Sequence, residues 1–249
     1  MRKRILEQPI DIIKIEEAAQ IAVASLLNPK QLKIITLNPE MVVRANKNIE
    51  FQSAINNANL IVPDGTGITW AFKFLNPDFK EPFKRVPGIE LAELLLIAVD
   101  KFKKKLAIYG GEKEVLEKVV SLIGQEHPNV EIVKAIDGFQ NTEKTDTKIA
   151  EEIAETEPNL VLVALGSPKQ EIWINKHSKL FPKSVMIGIG GSLDVWSGKV
   201  NRAPQWFRDN NLEWFYRAMS QPKRISRILK SLPLFVCLVF KERIFKKST

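Results

Sequence analysis

The chain has one cysteine in 249 residues. Cys237 therefore has no intrachain partner, which excludes a disulfide scaffold and fits a reducing compartment. Histidine is nearly as scarce. His127 and His177 stand far apart, without H-E-x-x-H spacing, so no zinc-hydrolase ligand set is present. Both are expected at the surface, at helix ends. G-x-G-x-x-G and the Walker pattern are missing, which counts against a dinucleotide oxidoreductase or a P-loop enzyme. The nucleophile elbow G-x-S-x-G is missing too, so a Ser-His-Asp hydrolase has no support. No apolar run reaches the roughly 20 residues that a spanning helix needs. The opening M-R-K-R-I-L-E-Q-P has basic residues but no apolar stretch behind them, so it does not read as a signal peptide.

Acidic charge is sparse at one end only. Arg202–Thr249 holds 11 Lys/Arg against 3 Asp/Glu, whereas the first 201 residues hold 26 of each. The whole excess of +8 sits in the last fifth of the chain. Such a tail suits phosphate-bearing partners: lipid, nucleotide or nucleic acid.

The stretch N-L-I-V-P-D-G-T-G, Asn59–Gly67, carries the most chemistry. Leu60–Val62 reads as a short buried strand closed by Pro63, which has no N–H for a ladder. Asp64 follows on a glycine-thinned loop, and helical spacing resumes at Ile68. A carboxylate at the carboxyl end of a strand lies where open α/β sheets bind ligands. Asp-Gly is equally an ordinary turn and helix cap, and this stretch alone does not choose.

Strand-like and helix-like segments alternate on either side. Leu32–Thr36 is a strand. Asn38-Pro39-Glu40 then reads as N-cap, proline at the first position and an acid in the first turn, opening a helix to about Asn56. Residues 76–88 form a loop, and Ile89–Lys104 is an apolar helix with a basic end. Leu106–Tyr109 runs into Gly110-Gly111 and a helix over Glu112–Gly124. Val130–Ala135 precedes Asp137-Gly138, and a helix over Asp146–Glu155 leads to the apolar strand Leu160–Leu165. Ser167, Pro168 and Gln170 form a capping-box pattern, and Val185–Ile189 runs into G-G-S-L-D.

This alternation predicts an α/β fold: a Rossmann-like, mostly parallel sheet with helices on both faces. Beyond a boundary near Asn201 the character changes. Pro204–Met219 reads as a Trp-rich amphipathic helix, Pro222 opens a basic one, and Leu232–Phe240 is almost wholly apolar. That run fits either a core helix or a segment lying in a membrane interface. Basic residues on both sides favour the membrane, so the fold is expected to carry a C-terminal helical membrane-associating appendage over 202–249, beside a core over 1–201. Arg202, Arg217, Arg224 and Arg227 are suited to phosphate by their planar forks, although an ordinary solvated helix face explains them as well.

Taken in order, T-x-N-P-E (Thr36–Glu40), V-P-D-G-x-G (Val62–Gly67), R-V-x-G (Arg85–Gly88), G-G (Gly110-Gly111) and D-G-F (Asp137–Phe139) make a pattern. It continues through L-G-x-P-K-Q-E-x-W (Leu165–Trp173), G-x-G-G-S-x-D (Gly188–Asp194) and R-A-P-x-W…L-E-W-x-Y-R…P-x-R-x-x-R (Arg202–Arg227). Over nearly its whole length the chain resembles the WecG/TagA/CpsF family of bacterial glycosyltransferases.

That resemblance implies transfer of an N-acetylmannosamine-type sugar from UDP to the 4-hydroxyl of GlcNAc-diphospho-undecaprenol, with inversion and without a metal or other cofactor. D-x-D, the usual signature of metal-held nucleotide, is indeed missing. It places Asp64 as general base, and Thr36, Asn38, Arg85 and Gln170 around the donor; Gly65, Gly110 and Gly111, on glycine-rich loops after strands, are positions that permit close backbone approach to a diphosphate. Arg217, Arg224 and Arg227 would meet the lipid diphosphate, and Arg202 is a further substrate-binding candidate. The implied setting is teichoic acid linkage-unit or surface-polysaccharide synthesis at the cytoplasmic face of the membrane, with 228–249 as the membrane contact. Nucleic acid is not implied as a partner; self-association and a glucose or uronic acid donor stay open. Two rivals make other demands. A Rossmann-like oxidoreductase would bind nicotinamide, and a basic lipid- or nucleic-acid-binding adaptor would tolerate loss of Asp64.

Overall fold

A computed structural model describes residues 1–139, 143–210, 212–220 and 222–246. The chain opens with an antiparallel hairpin, β1 (Arg2–Ile5) and β2 (Gln8–Asp11), then α1 (Ile15–Leu27). β3 (Leu32–Leu37), α2 (Pro39–Ala45), α3 (Ile49–Asn56), β4 (Leu60–Pro63) and α4 (Thr66–Leu75) follow. After α5 (Gly88–Lys101) come β5 (Lys105–Gly110), α6 (Lys113–Glu126), β6 (Glu131–Ile136), α7 (Glu143–Ala154), β7 (Leu160–Ala164), α8 (Lys169–His177) and β8 (Val185–Gly188). Four helices close the chain: α9 (Ser192–Trp196), α10 (Gln205–Asp209), α11 (Glu213–Ser220) and α12 (Pro222–Lys246).

Strands β3–β8 form one six-stranded sheet in the order β4-β3-β8-β7-β5-β6, and every pairing in it is parallel. Alternation along each strand feeds two cores. Ile34, Val62, Leu106, Ile108, Leu160, Leu162 and Ile187 face α1, α5, α6 and α9. Ile35, Leu37 and Ile61 face α2–α4, while Ala107, Tyr109, Val161 and Val163 face α7 and α8. Burial on both faces is why these strands read as unbroken apolar runs.

The N-terminal hairpin guards the β4 edge. Asp11 Oδ2 accepts from the Ile61 N–H at 2.9 Å, and Arg2 donates to the Asn59 carbonyl at 2.8 Å. Polar groups that would otherwise offer a free edge are thus occupied.

Several local expectations are revised. The helix after Asn38 is two helices, because Asn48 caps a second start through the Phe51 N–H at 2.9 Å. The capping box at Ser167 does not form: α8 begins at Lys169 with no side-chain cap, and Gln170 turns to a neighbouring loop. His177 is buried, 5% exposed, with its ring against Trp173 and Nε2 3.6 Å from Asp146. Burial holds its imidazole below the usual range despite that carboxylate.

Candidate functional site

Every loop singled out in the sequence emerges at the carboxyl end of this sheet. β5 leads through α6 to β6 on one face, while β7 leads through α8 to β8 on the other. The strand order reverses between β5 and β7, the position at which open α/β sheets bind ligands. Backbone comes close to backbone there. A Cβ on Gly110 (φ 120°) would lie 2.5 Å from the Ala164 carbonyl carbon, and one on Gly138 would lie 3.2 Å from the Gly110 Cα. Gly111 (φ 78°) packs on Leu193.

Four interstrand spacings away, about 19 Å, β4 delivers Asp64. The Asp64 N–H continues the ladder to the Leu37 carbonyl at 2.8 Å, and its side chain is half-buried. Gly65 (φ 90°) turns the chain into α4, and a Cβ on Gly67 would strike the Pro39 ring at 2.6 Å. Asn38 is the expected cap, its Oδ1 accepting from the Met41 N–H at 3.0 Å. Thr36 lies buried against Gly88, with a Cβ there 3.0 Å from its methyl. The Val86 N–H donates to the Pro63 carbonyl at 2.6 Å, which pins the R-V-P-G loop beside the Asp64 strand.

Arg85 therefore stands next to β4. Its guanidinium pairs with Glu213 at 2.9 Å and donates to the Arg208 carbonyl at 3.3 Å, tying the loop to α10 and α11. Thr66, Arg85 and Arg208 share the wall of an open cleft of about 790 Å³. Asp64 lies two residues from Thr66 and does not itself line that cleft.

A model of the WecG/TagA/CpsF glycosyl transferase family matches residues 3–249. The chain belongs to that family. It is 40% identical over 215 residues to an N-acetylglucosaminyldiphosphoundecaprenol N-acetyl-beta-D-mannosaminyltransferase of Bacillus subtilis (strain 168), covering 86% of this chain and 81% of the relative. Its namesake from Staphylococcus aureus (strain MW2) is 38% identical over 219 residues, 87% of this chain and 83% of that one. The one from Bacillus spizizenii is 37% identical over 208 residues, covering 84% and 78%.

Within this glycosyltransferase, other expected residues are spread more widely. Gln170 is buried: its Oε1 accepts from the Gly190 N–H at 3.0 Å and its Nε2 donates to Glu171 at 2.7 Å. It shapes the G-x-G-G loop, and a Cβ on Gly188 would overlap it. Arg202 pairs with Glu90 and Glu93 of α5. The side chains of Arg217, Arg224 and Arg227 lie outside the described residues, although their backbones belong to α11 and α12. Among the described residues no group of three or more His, Cys, Asp or Glu could hold a metal ion.

Residues passed over in the sequence also reach the site region. Glu171 is buried against Gln170 and the Ser167 loop, which Arg44 ties to α2 through the Ser167 carbonyl. Trp70, Lys73 and Lys84 line the cleft. The spacing of Thr66, Thr69, Trp70 and Lys73 along α4 was the available signal, since i, i+3, i+4, i+7 marks one helix face.

The inner face of the apolar C-terminal run sits on the core. Phe235 and Val239 are fully buried among residues of α2, α3 and α4, while Phe240, Ile244 and Phe245 are exposed. No helix among the described residues is long and apolar enough to cross a membrane.

Proposed function

We propose that this chain is a metal-independent, inverting transferase that moves an N-acetylmannosamine-type sugar from UDP to the 4-hydroxyl of GlcNAc-diphospho-undecaprenol. The acceptor hydroxyl oxygen bonds to the anomeric carbon, the carbon–oxygen bond to UDP breaks, and UDP leaves with the electron pair. The hydroxyl proton passes to the Asp64 carboxylate. A sugar hydroxyl is a poor nucleophile, so a carboxylate within hydrogen-bond reach is what the displacement requires. The observation that carries this reading is the convergence at β4: Asp64 on its glycine loop, with Arg85 fixed alongside by the Val86–Pro63 hydrogen bond.

Charge on the departing UDP has to be met by cations and backbone N–H groups in such chemistry. Arg85 and the C-terminal arginines are assigned to that task, and the Gly110-Gly111 loop to the far end of the nucleotide. Gln170 acts indirectly, by holding Gly190. The distance from Asp64 to Gly110 suits a donor laid across the strand ends, its uridine end remote from the reacting hydroxyl. A sugar-nucleotide donor together with a lipid acceptor supports a seat on the cytoplasmic face of the membrane, with the outward side of α12 as the peripheral contact.

Replacement Asp64→Asn should lower turnover by roughly 10²–10⁴-fold and leave UDP affinity within a few-fold. Turnover measured with UDP-N-acetylmannosamine and a short-chain GlcNAc-diphospho-lipid decides it. Unchanged turnover would remove Asp64 from the chemistry.

A further inference from the structure

We infer that the cleft along α4 holds the acceptor's diphosphate, and that the aromatic strip leading from it to α12 receives the first isoprenoid units of the lipid. This rests on the proposed transferase reading and adds a place and a direction to it.

Helix α4 has two unlike faces. Ile68, Ala71, Phe72 and Leu75 are buried in the core, and Thr66, Thr69, Trp70 and Lys73 face the cleft. Charge in the cleft is unevenly spent. Arg85 is paired with Glu213, and Glu90 with Arg202. Arg208 offsets Asp209 in the count of lining charges. Lys73 and Lys84 remain, and among the described residues neither has a carboxylate within ion-pair distance. Two unspent cations match the two charges of a diphosphate diester.

A diphosphate here has two candidate sources, the sugar nucleotide and the lipid. The surroundings select the lipid. From the cleft's rim, Trp70 (39% exposed) stacks on Phe74 with centroids 5.6 Å apart and planes 15° apart. Phe240 of α12 closes on both, at 6.3 and 4.9 Å. The strip is apolar, partly open and continuous with the cleft. A methyl-branched polyene gains dispersion and burial along all three rings; a uracil stacks on one ring and leaves the rest of the strip uncovered. The glycine loop assigned to the nucleotide lies on the far side of β3, β8 and β7.

Spacing supplies the direction. Lys73 is seven residues beyond Thr66, about 10 Å along the helix axis. One pyranose ring and its attached diphosphate cover that span, which sets the sugar at the Asp64 end and the lipid at the Phe74 end.

The test uses the full chain in detergent, UDP-N-acetylmannosamine, and two GlcNAc-diphospho-lipids, one with a single isoprene unit and one polyprenyl. The double variant Lys73→Gln/Lys84→Gln is expected to raise the KM of both lipids roughly tenfold or more, with the donor KM held within about twofold. Trp70→Ala should raise the polyprenyl KM several-fold more than the short-lipid KM, and Trp70→Phe should recover most of that difference. A rise in donor KM instead of acceptor KM would give the cleft to the nucleotide and overturn the inference, as would unchanged acceptor KM in the lysine variant. An equal rise for both lipids on Trp70→Ala would remove the strip from the lipid's path. If the unaltered chain transfers to neither lipid, the transferase reading itself falls; transfer with unmoved acceptor KM sinks only the placement.

Discussion

Glu171 shows how much a single side chain can hide in a sequence. K-Q-E at the start of a helix looks like a solvated first turn, yet this carboxyl is buried. Burial pushes its pKa up from the ordinary 4.5, and the Gln170 amide and the Arg44 charge oppose that rise without cancelling it. A carboxyl raised in the folded state binds its proton more tightly there than in the unfolded chain. Its stabilising effect is therefore complete below pH 4.5 and is lost as pH climbs through the raised value. Glu171→Gln, which carries no charge, should melt with the wild type below pH 4.5 and progressively above it as pH rises. A melting difference that stays flat with pH would contradict this account. Asn38, by contrast, was legible to the atom, because N-cap, proline and acid are local chemistry. Gln170, Glu171 and His177 were not, since their roles depend on which loop the fold brings over them.

Among the elements, the join between the R-V-P-G loop and α11 decides how the C-terminal segment meets the core. The sequence suggests one helix across Pro204–Met219. Instead the chain breaks between α10 and α11, where the Leu212 N–H returns to the Phe207 carbonyl at 2.7 Å. That break brings Glu213 to Arg85, a tertiary contact that no periodicity encodes. Side-chain exposures of 16% and 9% put the pair between the surface and buried cases. Removing one partner there should cost about 1–3 kcal/mol. Glu213→Ala is accordingly expected to lower the melting temperature by several degrees and to speed proteolysis within 202–220. A double-mutant cycle with Arg85→Ala isolates the coupling. If the two substitutions add without coupling, the ion pair does not hold α11.

At the scale of the whole molecule, alternating strand and helix patterns gave the fold class, and the glycine loops after strands do gather at the carboxyl end of the sheet. Strand order stayed out of reach, because parallel pairing joins segments far apart in the chain; so did the hairpin that closes the β4 edge. The apolar run of α12 kept two readings open for a related reason: composition does not say which side of a helix meets the protein. The structure separates the two sides. Phe235 and Val239 fill the core beside α2 and α4, Glu242 accepts from the Leu6 N–H at 2.9 Å, and Arg243 donates to the Leu75 carbonyl at 3.3 Å. On the other side Leu229, Ile244 and Phe245 are exposed among basic residues. The two sides should fail differently. Phe235→Ala opens a cavity and should cost about 3–5 kcal/mol, lowering the melting temperature by roughly 10 °C. Ile244→Ser/Phe245→Ser should leave the melt nearly unchanged but remove about 3–6 kcal/mol of burial in an interface, enough to abolish sedimentation with anionic vesicles. Because Lys241 adds only a screened attraction, raised salt should weaken the wild type's binding without eliminating it. If the double serine variant still pellets with vesicles as the wild type does, the outward side of α12 is not the membrane contact.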